Sequence, residues 1–268
     1  MINGPLLRQT WRAHGARVGL VAIALGIWAS LMPVMYATFG REMEALIESG
    51  IIPDAMLRLM GGGVFGLDAS IALGTGHPFA IALQVVYPVG FAAASIAGER
   101  QRGTLEILLS RPLSRRSVFV TLLVAVLAIA LVTTGATVVG TLVGAAAYGL
   151  VGELDLAQHA FLVLNTVLLL AALTGISLAL SASFDRLSPA IGIALAVVLA
   201  GYVLEILGQL WPDAEFLGPY SPFHYLRPFD ILRGRGEVSD LAVLGAVFVA
   251  SVAYGLWRFP RRDLAAPT

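Results

Sequence analysis

The 268-residue sequence predicts an all-α integral membrane protein with six transmembrane helices. Only 13% of its residues are charged, against about 25% in ordinary soluble domains. The mean hydropathy is correspondingly high, at +0.85. A helix rises about 1.5 Å per residue, so roughly 20 apolar residues cross a hydrocarbon core of about 30 Å. Six stretches of that kind are present, near Val18–Phe39, Phe79–Gly98, Val118–Val151, Ala160–Phe184, Pro189–Trp211 and Leu241–Phe259.

The distribution of arginine predicts how these spans are oriented. If the termini are cytoplasmic, that side holds 12 Arg and four acids, and the other side holds five Arg and 12 acids. Because positive residues accumulate on the cytoplasmic side, we expect both termini there. The Ala-, Gly-, Val- and Arg-rich, lysine-free composition is typical of a bacterium with GC-rich DNA, so the expected location is the bacterial inner membrane. No internal repeat divides the chain, and residues 1–268 are expected to form one transmembrane domain.

Two segments outside the spans have a membrane-surface character. Residues 1–17 place Leu6, Leu7 and Trp11 among arginines, which favours an interfacial helix on the inner leaflet; a frayed, positively charged flank is the alternative. Residues 212–240 are rich in proline and aromatic residues. Such a composition is typical of the membrane–water interface, and we expect short outer helices that are re-entrant or interfacial.

The sequence argues against several classes of function. A net charge of zero gives no support to nucleic-acid binding, and the absence of cysteine removes thiolate chemistry and cysteine metal sites. The serines and threonines within the spans have no companion base at a readable spacing. No catalytic residue and no metal site are therefore expected. The histidines are scattered over different loops without metal-ligand spacing, at His14, His77, His159 and His224.

Inside the spans, one charged residue and one stripe of small residues stand out. Glu205 is the only ionisable residue well within a span, and such a costly group is either a possible part of a substrate path or a structural contact. Ala136, Gly140 and Gly144 recur every four residues on the third span. Small residues at that spacing allow two helices to approach closely, so this stripe predicts helix packing.

A charged, helix-prone segment, residues 99–112, lies between the second and third spans. Thr104 is placed to cap a short helix that ends at Pro112, and Ser114 is placed to cap the third span. From the residues alone, this helix lies either on anionic lipid or against a protein. Its apolar face consists of Leu105, Leu108 and Leu109.

Three blocks of the sequence resemble the permeases of type-2 ABC exporters. They are "GERQRGTLEILLSRPLSRRSVF", "YSPFHYLRPFDILRG" and "FPRRDL", and they fall in the expected order among six spans. The resemblance implies that segment 99–112 is a coupling helix seated on an ATPase subunit. It also implies two ATPase copies and a second permease subunit, with a homodimer expected. The interface residues carried over are Glu99, Arg100, Arg102, Gly103, Thr104, Leu105, Glu106, Leu108, Leu109, Arg111 and Pro112.

The absence of lysine agrees with ATP hydrolysis by a separate subunit. A Walker A motif needs a lysine, so ATP and Mg²⁺ are expected on a separate polypeptide, and this chain is expected not to be an enzyme. An exporter of an amphipathic or hydrophobic solute is the favoured function. A secondary active transporter, or a non-transporting membrane scaffold subunit, remains as an alternative. Membrane lipid is the remaining expected partner.

Overall fold

The computed structural model describes residues 2–53, 56–57, 66–105, 110 and 113–262. The described part is helical and has no strand, and six of its helices are long and apolar enough to cross a membrane. The predicted all-α membrane fold is therefore confirmed. The spanning helices are α1 (Gly4–Glu48), α3 (Pro78–Gln101), α4 (Arg115–Ala147), α5 (Leu156–Ser183), α6 (Leu187–Leu210) and α7 (Val238–Arg261), and a shorter helix, α2, covers Leu67–Gly76.

The first helix is longer than the sequence predicts. It begins where the side chain of Asn3 accepts a hydrogen bond from the backbone N–H of Leu6 at 2.9 Å, and it continues without a break to Glu48. Residues 1–17 were expected to form an interfacial helix or a frayed, positively charged flank. From Gly4 onward they are instead the first turns of α1, because no helix-breaking residue separates them from the span. Their position relative to a bilayer stays a prediction.

The two ends of the helix bundle are named here by what they carry. The terminal face holds the start of α1, the end of α7, residues 102–105 and 113–114, and the loop 184–186. The far face holds α2 and residues 211–237. At the terminal face, Ser114 caps α4 by accepting a hydrogen bond from the N–H of Ser117 at 3.1 Å, which confirms the predicted cap.

Burial differs strongly among the spans. In α5, 67% of the most apolar window is buried inside the chain, against 17% in α6 and in α7. The fourth span is therefore the centre of the bundle, and the fifth and sixth spans lie at its edge. Their outward faces are apolar and include Leu199, Val203, Val249 and Trp257. Faces of this kind suit lipid or another membrane subunit.

The segment before the last span folds into short helical turns. Pro212–Tyr220 and Pro222–Tyr225 form 3₁₀ turns, followed by Pro228–Asp230 and a wide turn over Ile231–Arg235. The first three each begin with proline, whose fixed φ suits the first position of a helix. Phe223 is the anchor of this segment, since it is 2% exposed and packs edge-on against the ring of Tyr202 on α6. Short helices were predicted here, and their depth in a membrane stays a prediction.

Candidate functional site

The base of the segment expected to bind an ATPase is a tight turn at the end of α3. Gly103 has a φ of +71°, a backbone conformation that a residue with a Cβ rarely adopts. The carboxylate of Glu99 closes the turn: it accepts hydrogen bonds from the guanidinium of Arg102 and from the hydroxyl of Thr104, both at 2.5 Å. Thr104, predicted as the cap of a new helix, donates its hydroxyl back to α3; the N–H groups that it would cap lie outside the described residues. These bonds therefore fix the direction in which the chain continues after α3.

A cluster of three charged side chains connects this turn to the rest of the terminal face. Asp185, in the loop between α5 and α6, pairs with Arg100 at the end of α3 and with Arg262 after α7. Both arginine side chains are nearly buried, at 11% and 12% exposed. Arg262 also donates to the backbone carbonyl of Ala182 at 3.3 Å. Burial lowers the pKa of Arg262, and the carboxylate of Asp185 opposes this shift.

Backbone contacts reinforce the same junction. The N–H of Leu187, at the start of α6, donates to the side-chain oxygen of Gln101 at 2.8 Å. Residue 186, the cap position of α6, supplies no side-chain hydrogen bond, so α3 satisfies this orphan donor. Arg115, at the start of α4, donates to the backbone carbonyls of Pro260 and Arg262. The ends of α3, α5 and α7 and the starts of α4 and α6 thus meet at one place.

The remaining predicted interface residues are only partly described. Leu105 is 1% exposed and packs in the chain's own core with Phe119 and Phe259. Its side chain anchors the loop inside the bundle, so it is not presented to a partner as the sequence analysis expected. The others lie outside the described residues: Glu106, Leu108, Leu109, Arg111 and Pro112.

Glu205 has its own partners near the far face. One carboxylate oxygen accepts a hydrogen bond from the amide of Gln209 at 2.6 Å, and the other lies 3.3 Å from Nδ1 of His224. Gly218 leaves room for that imidazole, since a Cβ there would lie 2.7 Å from Nδ1. This contact ties α6 to the short turns before α7. Glu205 is not among the residues that line the cavity described next, and its place on a substrate path stays a prediction.

The predicted stripe of small residues lies directly against α1. A Cβ at Gly140 would lie 2.0 Å from the backbone oxygen of Gly26, and one at Gly144 would lie 2.2 Å from that of Ser30. Ala136 continues the stripe, with its carbonyl oxygen 3.3 Å from the Cβ position of Gly26. The backbones of α1 and α4 therefore touch along this line. Larger side chains on the stripe would separate the two helices.

A cavity of about 230 Å³ lies between α1, α2, α3, α4 and α5, toward the far face. Its walls are mostly apolar, with Trp28 and Met32 on one side. Its polar groups include the amide of Gln84, which donates to the hydroxyl of Thr134 at 3.2 Å. The sequence alone did not show that these residues and His159, another lining residue, lie around one cavity. The one available signal was the spacing of Thr134, Thr137 and Thr141 on a single face of α4.

Within the described part of the chain, no group of three or more His, Asp or Glu side chains is arranged to hold a metal ion.

The family model described as "ABC-2 family transporter protein" matches residues 19–264, which is nearly the whole chain. Neither the curated proteins nor the solved structures contain a match. The matched region includes all of the spans from α3 to α7 and most of α1. The chain therefore belongs to the ABC-2 transporter family, as a membrane-spanning permease subunit.

Proposed function

We propose that this permease is the membrane subunit of an ATP-driven exporter and that its segment Glu99–Pro112 docks onto a separate ATPase subunit. The junction between Arg100, Asp185 and Arg262 is the observation that carries the proposal. A segment that receives force from a partner must be joined rigidly to the helices that it moves. Here two nearly buried arginines and one exposed acid join the base of the segment, at the end of α3, to the α5–α6 loop and to the end of α7.

If the ATPase pushes on this segment, the stiffness of the turn at its base decides whether the spans move with it. If the turn at Gly103 were loose, the displacement would be absorbed locally. The hydrogen bonds from Arg102 and Thr104 to Glu99 hold the turn to α3, and Leu105 is locked in the core. Displacement is then passed to α3 and, through Asp185, to the α5–α6 loop. Rigid spans with packed interfaces move as units, so this junction suits alternating access driven from the terminal face.

The rest of the assembly follows from the same proposal. Two ATPase subunits bind ATP and Mg²⁺, and a second copy of this chain completes the membrane domain. The excess of arginine on the terminal face supports a cytoplasmic location for both termini in a bacterial inner membrane, with transport outward. The exposed apolar faces of α6 and α7 supply surface for the second copy and for lipid.

The absence of cysteine allows a direct test. A single cysteine at Ser110, within the proposed coupling segment, is labelled with a benzophenone and irradiated in membranes that also contain the candidate ABC ATPase subunit. The matched control is a single cysteine at Ser49, an exposed residue where α1 ends near the far face. We expect a crosslink to the ATPase from position 110 and none from position 49. Equal crosslinking from both positions, or from neither, would overturn the proposal.

A further inference from the structure

An open groove of about 510 Å³ runs between α5 and α7 at the terminal face. Its deepest residue on α5, Ile176, lies seven residues before Ser183, so the groove extends about 10 Å along the helix. On α7 its lining includes Ala250, Ser251 and Tyr254. Both serines donate their hydroxyls to backbone carbonyls of their own helices. The walls of this α5–α7 groove therefore present mainly carbon.

Two arginines continue the groove side of α7 beyond its terminal end. Arg258 and Arg261 lie four and seven residues after Tyr254, a spacing that places all three on one side of a helix. Asp185, the acid of the adjoining loop, is already shared by two other arginines, and no described acid pairs with Arg258 or Arg261. The sequence at this end, RFPRRD, holds three arginines and one acid. A net positive charge therefore lies at the end of an apolar groove.

Aromatic side chains surround this cationic end. The guanidinium of Arg261 lies over the ring of Trp257, with its central carbon 5.4 Å from the ring centre, and donates to the Trp257 carbonyl at 3.2 Å. A guanidinium has five N–H donors, so most of them remain for a ligand. Trp257 and Tyr254 are each about half exposed, as is typical of side chains at the membrane–water interface. The pattern favours a groove that ends at the level of the lipid headgroups.

A phospholipid with an anionic headgroup matches both parts of this surface. Its acyl chain is apolar, and its phosphate accepts the paired hydrogen bonds that a guanidinium donates. A second copy of the chain fits the groove less well. Around a two-fold axis perpendicular to the membrane the same face meets itself, so Arg258 and Arg261 would lie opposite their own counterparts. Like charges opposed across an interface disfavour association.

We propose that the α5–α7 groove binds one anionic phospholipid, with an acyl chain against Ile176 and Ala250 and the phosphate on Arg258 and Arg261. The lipid fills the gap between the fourth and sixth spans at the terminal face. The site needs neither the ATPase nor transport, so it does not rest on the proposed function. Binding to the permease alone tests it, and failure there leaves the ATPase proposal untouched.

Trp257 provides the reporter for the first experiment. The full chain is placed in phosphatidylcholine nanodiscs that contain a varied fraction of phosphatidylglycerol, brominated near the headgroup end of its chains to quench tryptophan. Subtraction of the signal of Trp257→Phe isolates the quenching at Trp257. We expect half-maximal quenching at a lipid fraction about ten-fold lower for brominated phosphatidylglycerol than for brominated phosphatidylcholine. Equal quenching by the two lipids would overturn the proposal.

The second experiment separates a site from a general attraction to the terminal face. Arg258→Gln combined with Arg261→Gln removes two charges at the groove. Arg8→Gln combined with Arg12→Gln removes two exposed charges at the start of α1 and is the matched control. We expect the first variant to lose the preference for phosphatidylglycerol and the control to keep it. Equal losses would contradict a local site, and should a variant fail to accumulate, the two-lipid comparison on the unchanged chain still decides.

The apolar half of the site is tested with both arginines in place. Ala250→Phe fills the groove, and Ala246→Phe, one turn earlier at an exposed position outside the lining, is the matched control. We expect Ala250→Phe to raise the half-maximal lipid fraction at least about five-fold, which corresponds to roughly one or two buried methylene groups. The control should leave it unchanged. Equal fractions in the two variants would show that no acyl chain lies in the groove.

Two further measurements identify the occupant. Soluble glycerol 1-phosphate carries the headgroup chemistry without acyl chains, and we expect it not to relieve the quenching. Relief would show that phosphate alone occupies the site and would refute a lipid in the groove. A benzophenone on Ala250→Cys should give no more crosslinked permease dimer than one on Ala246→Cys. A larger yield of dimer from position 250 would show that a second copy covers the groove, and would also overturn the proposal.

Discussion

The guanidinium of Arg262 lies 2.5 Å from the carboxylate of Asp185, so the end of the last span is joined to the loop between the fourth and fifth spans. The same carboxylate pairs with Arg100 at the end of the second span. One exposed acid thus satisfies two nearly buried arginines. The segment proposed to bind the ATPase begins within this cluster. A displacement of that segment by the ATPase would therefore move the ends of three helices together.

Removal of the shared carboxylate is expected to weaken both the fold and the coupling. Asp185→Ala leaves two guanidinium groups with little solvent and no common partner. Since Asp185 is itself 58% exposed, we expect a loss of only about 1 kcal/mol in stability. ATPase stimulation by the permease should fall by more than this loss explains. Thermal unfolding and ATPase rates of the complex measure the two effects, with Asp213→Ala, an exposed acid at the far face, as the control. Normal stimulation in Asp185→Ala would contradict the role of the cluster.

The contact between α1 and α4 predicts opposite effects at two glycines of the same helix. Gly140→Ala places a methyl group 2.0 Å from the carbonyl oxygen of Gly26, and overpacking of this kind costs about 1–3 kcal/mol. Gly135 has no neighbour within 4 Å of its Cβ position, so Gly135→Ala should be neutral or stabilising because alanine favours helix. Thermal unfolding in detergent measures the difference. Equal melting temperatures would show that the two helices do not touch along this line.

The contact of Glu205 with His224 predicts a modest contribution of its charge to stability. Glu205→Gln keeps the shape of the side chain and weakens this contact, so stability is expected to fall by less than about 1 kcal/mol. Thermal unfolding of the variant in detergent measures the loss. A fall in transport or in ATPase stimulation much larger than this loss of stability explains would instead place Glu205 on the substrate path.

The environment of Asp68 predicts a pH dependence of stability. Burial raises the pKa of this carboxyl, Asp155 adds to the shift, and His159 and Arg233 oppose it. The folded state therefore binds the proton more tightly than the unfolded state, and stability falls as pH rises from the ordinary carboxyl pKa through the raised one. Asp68→Asn removes this dependence. We expect the melting temperature of the variant, relative to the unchanged protein, to be higher at pH 8 than at a pH near the ordinary carboxyl pKa of 3.8. A constant difference between the two would contradict the assignment.

Much of the fold was predictable because it depends on local properties of the chain. Apolar length identified the spans, and the side chain of Ser114 marked the start of α4. The small-residue stripe at Gly140 and Gly144 also pointed to a close helix contact, though not to its partner on α1. The sequence missed the continuity of α1, because a cluster of arginines suggests a surface segment but does not break a helix.

The junction at the terminal face was only half predictable. Glu99, Gly103 and Thr104 were recognisable from their motif, but Asp185 lies far along the chain and no local pattern links it to Arg100. Leu105 could be assigned to an apolar face but not to the chain's own core. For the same reason His159 looked like an isolated loop histidine, although it lies in the first turn of α5 and lines the cavity.

The most direct test of the account is the ATPase stimulation of two positive-φ glycine variants. Gly103 and Gly149 have φ values of +71° and +72°, and neither has a neighbour within 4 Å of its Cβ position. Alanine strains both turns by about 1–2 kcal/mol, but only Gly103 lies at the proposed coupling turn. We predict that Gly103→Ala lowers stimulation about five-fold or more while Gly149→Ala leaves it unchanged. Equal stimulation in the two variants would contradict the claim that the ATPase acts through this segment.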